Sequence, residues 1–112
     1  MRESIIEGSI ILVSEHEGAL IGFKIGYPLN DKEFYSWLGG VIPSKRKTGA
    51  AKRLLLMQET LVAKSQYDAL YVKSMNCFRS MLHMLISNGY DITHVENYGD
   101  PEKERINFKK IL

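Results

Sequence analysis

A chain of 112 residues, 45% hydrophobic and 25% charged, fits one globular domain, expected over residues 1–112, with a modest core. A formal net charge of +2 argues against nucleic-acid partners, whose binders concentrate basic charge on one face. One cysteine, Cys77, rules out an internal disulfide, and no apolar run approaches the roughly 20 residues that span a bilayer. The opening Met-Arg-Glu-Ser-Ile-Ile-Glu-Gly lacks the unbroken apolar stretch of a secretory signal, so a cytoplasmic protein without a membrane partner is expected.

In chain order, the β-branched run Ser9 to Ser14 and the run Ala19 to Tyr27 read as strands. Glu15-His-Glu-Gly18 has the composition of the hairpin turn between them. Pro28-Leu-Asn-Asp31 is a second turn, and Glu33 to Val41 is a third strand with even and odd positions on opposite faces. Pro43 stops it. From Ala50 to Lys64 the period becomes helical, with Ala51, Leu54, Leu55, Leu61 and Val62 on one face. Ala69 to Lys73 is a short fourth strand. Phe78, Met81, Leu82, Leu85 and Ile86 then mark a second amphipathic helix, closed by Asn88-Gly89. Asp91 to Glu96 and Arg105 to Leu112 are closing strands around a polar loop at Gly99-Asp-Pro101.

Hairpin-linked early strands run antiparallel, whereas the third and fourth, joined by a helix, run parallel with a right-handed crossover. The expected class is α/β (α+β): a mixed, mostly antiparallel sheet with one parallel pair, flanked by two main helices.

The stretch Val41-Ile-Pro-Ser-Lys-Arg-Lys-Thr-Gly-Ala-Ala51 carries the most chemical information. A strand feeding a small-residue turn and then a helix start leaves backbone N–H groups free, with the positive end of the helix dipole behind them. Such a place binds phosphate oxygens. Gly49 and the alanines after it keep bulk away from the backbone. Lys45, Arg46, Lys47, Lys52 and Arg53 add positive charge there, which is either a solvated helix start or part of a pyrophosphate cradle.

The element order, with Val41-x-Pro43-x-x-Arg46-x-x-Gly49-x-Ala51 and the later Asn88-Gly89-Tyr90, resembles the GNAT superfamily of acyl-CoA-dependent N-acyltransferases. The resemblance covers nearly the whole chain from Ile10 onward. It implies acetyl-CoA as co-substrate, a primary amine as acceptor and no metal. It further implies that Gly39, Gly40 and Val41 pair through their main chain with the pantetheine arm. Gly39 N–H then donates to the thioester carbonyl. Arg46, Lys47, Thr48, Gly49, Ala50 and Ala51 surround the pyrophosphate, and Asn76 lies near a pantetheine-binding asparagine. The chain departs from the family in three respects. Lys47 stands where Gly is common, Leu85 stands where a tyrosine acid is frequent, and the first strand and helices that build the acceptor site are lacking. The thiolate then leaves unassisted or takes a proton from solvent or Tyr90.

An amine attacking a thioester must lose a proton. On the third strand the resemblance points to Tyr35, with Glu33 two residues earlier on the same face; packed and solvated strand residues are the plain alternatives. Cys77 has no nearby His to activate it, and His16, His83 and His94 show no metal-ligand spacing. Met75, Met81 and Met84 suit core packing. Trp37 sits beside the thioester channel. Two readings follow: an N-acetyltransferase, or a non-catalytic acyl-CoA-binding module completed as a dimer. A homodimer is expected, because strands without their covering helices expose apolar surface.

Overall fold

The computed structural model describes residues 8–45 and 48–112. Its elements are β1 (Ile10–His16), β2 (Ala19–Pro28), β3 (Glu33–Val41), α1 (Ala50–Lys64), β4 (Ala69–Met75), α2 (Arg79–Ser87), β5 (Asp91–Glu96) and β6 (Arg105–Ile111). Two single-turn 3₁₀ helices, Pro43–Lys45 and Pro101–Lys103, were not foreseen from the sequence; each begins at a proline, whose fixed φ suits a helix start. The six strands form one sheet in the order β1-β2-β3-β4-β6-β5. All neighbours are antiparallel except β3 and β4, which run parallel, as the helical crossover requires. The β1–β2 turn is made by Glu17 and Gly18, both at positive φ, so β1 extends two residues beyond its expected end.

Cross-strand partners share a face of the sheet, so the register assigns sides. Ile10↔Gly26 and Leu12↔Lys24 point one way, Ile11↔Ile25 and Val13↔Phe23 the other. A Cβ added at Gly22 would meet Leu54, and one added at Gly26 would meet Gln58, so the first side lies under α1. Leu85 of α2 joins the same core as Phe34, Leu55, Val62, Leu70, Val72, Ile106 and Phe108. Both helices therefore cover one face of the sheet.

The helix faces differ in part from expectation. Gln58 is fully buried in α1, while Ala51 and Leu61 are partly exposed. In α2, Leu85 is buried and Met81, Leu82 and Met84 pack on the core, but Phe78 and Ile86 stay more than half exposed. Phe78 caps α2 rather than lying within it, so the expected stripe starts one residue too early.

The opposite face carries no helix among the described residues. Ile11, Val13, Trp37 and Leu38 are exposed on it, around half-buried Phe23, Ile25, Tyr27 and Tyr35. Tyr27 packs edge-on against both Tyr35 and Trp37.

A bulge corrects the simple alternation expected of β3. Gly26 pairs with Ser36 and Ile25 with Leu38, leaving Trp37 as the extra residue. Beyond it the faces exchange, and Gly39 and Val41 turn to the helix side.

Candidate active site

β3 and β4 pair from Glu33↔Ala69 to Ser36↔Val72 and no further, although β3 runs on to Val41 and β4 to Met75. The sheet is thus parted at its centre. Ile42 N–H donates to Ile21 O at 2.9 Å. Backbone groups alternate sides along a strand, so Gly40 addresses β2 while Gly39 addresses the opening. Gly39 is well exposed there.

The same strand leads into α1. Thr48 Oγ1 donates to Lys45 O, which closes the turn, and Arg53 Nη1 donates to Thr48 O at 3.2 Å. Gly49 is the N-cap at φ 87, with no side-chain cap. Its carbonyl accepts the Arg53 N–H, and no described residue accepts the N–H groups of Ala50, Ala51 or Lys52. Three helical donors and the dipole's positive end therefore face outward beyond the opening. Ala50 is itself buried, and Ala51 is partly so. Arg46 and Lys47 lie outside the described residues.

Asn76 sits just past β4, but its Nδ2 donates to Pro101 O at 3.1 Å and its N–H to Glu104 O at 2.7 Å. This anchors the 3₁₀ turn, leaving Oδ1 as the free acceptor end.

Glu33 is not brought to the opening. It pairs with Ala69 at the far end of the parallel ladder, six residues from Gly39, roughly 20 Å along a strand. Its carboxylate accepts from Tyr71 at 2.6 Å and Asn30 at 2.9 Å, which hold its pKa below the usual value. A carboxylate so engaged is a weak base. Tyr35 lies nearer, on the helix-free face, and burial pushes its phenol up, so it keeps its proton. Tyr90 is buried and donates to Glu59 at 2.7 Å; burial and that bond raise its pKa. Glu59 also pairs with Lys110, whose strand partner is Leu70, below the point where the sheet parts. Tyr90 is therefore not placed to protonate a leaving group at Gly39.

Sequence reasoning missed two clusters. On the helix-free face, Glu96 accepts from Lys73 at 2.8 Å, Tyr98 at 2.6 Å and Asn107 at 2.9 Å. Those donors, Lys73 foremost, hold its pKa down to about 2. Beside them Met75, Tyr98, Lys103 and Arg105 line a cavity of about 350 Å³ at the end of β4. On the helix face, Lys24 is 7% exposed with no hydrogen bond or ion pair among the described residues. Burial alone lowers it to about 8. Ser36 Oγ and both ends of the Gln58 amide are likewise buried and unpartnered. A signal for Lys24 was present: its same-face neighbours in β2 are Gly22 and Gly26, which marks close approach of a helix. Among the described residues no cluster of His, Cys, Asp and Glu could hold a metal ion, and no helix is long and apolar enough to cross a membrane.

The chain superposes on the ribosomal-protein-S18-alanine N-acetyltransferase of Escherichia coli with a TM-score of 0.87 at 15% identity, covering 98% of this chain and 73% of that one. This is the GNAT fold. An IAA acetyltransferase from Bacillus cereus matches at 0.85 and 16% identity, over 93% and 78% of the two chains. A GNAT family acetyltransferase from Elizabethkingia anophelis, solved with acetyl-CoA bound, matches at 0.84 and 16%, over 94% and 77%. No protein-family model and no curated relative matches the chain.

Proposed function

We propose that this protein is an acyl-CoA-dependent N-acetyltransferase that moves an acetyl group from acetyl-CoA to a primary amine by direct attack. One observation carries the reading. The strand that leaves its neighbour after Ser36 exposes Gly39 at the open edge and runs straight into an uncapped helix start. A pantetheine arm adds to the open edge at Gly39 as a further strand would, and the diphosphate meets the N–H groups between Thr48 and Ala51. Arg46 and Lys47 are assigned to the same diphosphate from the sequence motif, and Asn76 Oδ1 to the arm.

Gly39 N–H polarises the thioester carbonyl. A preorganised donor of this kind is worth about 3 kcal/mol in the transition state. The acceptor enters from the helix-free face, where Tyr35 orients the water that takes the amine's proton; Glu33 is too far along the strand and too firmly hydrogen-bonded to share that role. Acetyl-CoA bound to a protein of the same fold supports the choice of co-substrate.

The second reading, a non-catalytic acyl-CoA-binding module completed by a second copy, is favoured by the bare apolar face and by Leu85, buried where a tyrosine acid is expected. Incubation with acetyl-CoA and a panel of primary amines, following free thiol, separates the two. Amine-dependent thiol release supports the transferase. Saturable binding by calorimetry without release supports the module, and absence of binding removes both.

A further inference from the structure

We propose that Lys24 is the cation that receives the departing CoA thiolate as its counter-ion. This rests on the acetyl-CoA reading above and extends it to a residue outside the cradle and the β3 edge.

The placement follows from the β3 bulge. Were the strands paired without a bulge, with Trp37 opposite Ile25, the partner of Lys24 would be Leu38, whose side chain would occupy the space the lysine takes. With the bulge, Lys24 stands opposite Gly39. A Cβ added at Gly39 would lie 3.4 Å from Lys24 Nζ and 3.6 Å from its Cγ. The side chain thus crosses β3 where no side chain blocks it, and the ammonium ends above the residue assigned to the thioester carbonyl. That carbonyl's carbon and sulfur are adjacent atoms, so a cation at Gly39 is within reach of both.

The surroundings suit a counter-ion for a ligand rather than a structural ion pair. Among the described residues, the neighbours of Lys24 are Leu12 on β1, Gly39 on β3, and Leu54 and Gln58 of α1 flanking it beside Gly22 and Gly26. None is charged, and the described carboxylates of the helix face are engaged elsewhere, Glu59 with Tyr90 and Lys110. A buried ammonium without a counter-ion is unfavourable, and a thiolate in the opening would supply one. Ser36 Oγ of β3 and the Gln58 amide of α1, buried on the same side of the sheet, are also unpartnered among the described residues and would hold water or ligand atoms beside it. Burial lowers its pKa only to about 8, so the ammonium is still charged at neutral pH.

In the step, the amine nitrogen forms a bond to the carbonyl carbon and the carbon–sulfur bond breaks. The sulfur keeps the bonding pair and leaves as a thiolate paired with the Lys24 ammonium, while the amine's surplus proton passes to water. Solvent protonates the thiolate as CoA departs, and the products are the acetamide and CoA thiol.

The test uses CoA as probe and needs no acceptor. The thiol of CoA bound to the full chain is titrated by thiolate ultraviolet absorbance, in the wild type, Lys24→Met and Lys24→Arg. In the wild type and Lys24→Arg, the bound thiol is expected to titrate one to two pH units below free CoA, a ten- to hundred-fold larger thiolate fraction at a given pH. In Lys24→Met the shift disappears while CoA still binds. Lys24→Gln replaces Lys24→Met if the latter fails to fold. A wild-type bound thiol that titrates with free CoA overturns the proposal without reference to any variant. So does a shift that survives in Lys24→Met. CoA that does not bind at all overturns the co-substrate reading itself, a different result from binding with an unshifted thiol.

Discussion

Gly26 lies flat against the edge of the Phe34 ring: a Cβ added at position 26 would stand 2.6 Å from Phe34 Cε1 and 2.7 Å from the Tyr35 carbonyl. The ring is fully buried and the carbonyl belongs to the backbone, so neither can retreat cheaply. Gly26→Ala is expected to destabilise the fold by about 2–3 kcal/mol, the upper part of the range for overpacking a tight core. Chemical denaturation shows this as a lower midpoint with an unchanged slope.

Lys24 sets a stability optimum at alkaline pH. Its native pKa of about 8 lies below the ordinary 10.5, so between these values the unfolded chain binds more protons than the native one. Stability therefore rises with pH from 8 to 10.5. At neutral pH the buried ammonium costs about 3 kcal/mol, the 2.5-unit difference converted at 1.36 kcal/mol per unit. Lys24→Met is expected to raise the neutral-pH melting temperature and to abolish the alkaline rise. A melting temperature that falls instead would show that the ammonium has a native partner.

Glu96 acts at the other end of the scale. Held by Lys73, Tyr98 and Asn107, its carboxylate is depressed to about 2, so its contribution is complete above pH 4.5 and is lost as pH falls toward 2. Thermal unfolding of Glu96→Gln across this range should show a shallower acid limb than the wild type. Identical limbs would mean that the cluster is already broken near neutrality.

At the helix start, Gly49→Glu places bulk and negative charge at the proposed diphosphate site, and acetyl-CoA affinity is expected to fall at least 100-fold by calorimetry. Position 49 holds φ 87, so Gly49→Ala serves as the control for backbone strain of about 1 kcal/mol. Loss of affinity in the Glu variant beyond that of the Ala variant measures the charge and bulk alone.

The bare sheet face predicts self-association. Trp37, Leu38, Ile11 and Val13 form an exposed apolar surface beside three partly buried aromatic rings. Sedimentation at micromolar concentration should show a dimer, and Trp37→Glu together with Val13→Glu should shift it to monomer. A wild-type chain that stays monomeric removes the expectation.

Much of this was legible in local pattern. β3, α1 and β5 begin and end where alternation and helical spacing place them, because Pro43 and Gly49 punctuate the chain there. The parallel β3–β4 pair followed from the length of the crossover. The uncapped start of α1 was legible too, since it needs only small residues in the right order. The site's other half was not. Glu33 and Tyr35 share a face and a strand, yet only the register shows Glu33 tied to Tyr71, 38 residues away. The Glu96 cluster joins β4, β5 and β6, and no local pattern brings those strands side by side.

Element type, element order and the uncapped helix start at Gly49 were written in the chain, because each depends on the chemistry of residues within a few positions of one another. The tertiary structure alone decided the bulge at Trp37, the parting of β3 from β4 after Ser36, and the meeting of Lys24 with Gly39. Those outcomes depend on which strands pair and in what register. A shift of one residue turns a side chain to the other face, so it was packing against α1, acting on the whole sheet at once, that placed a buried ammonium beside the open strand edge.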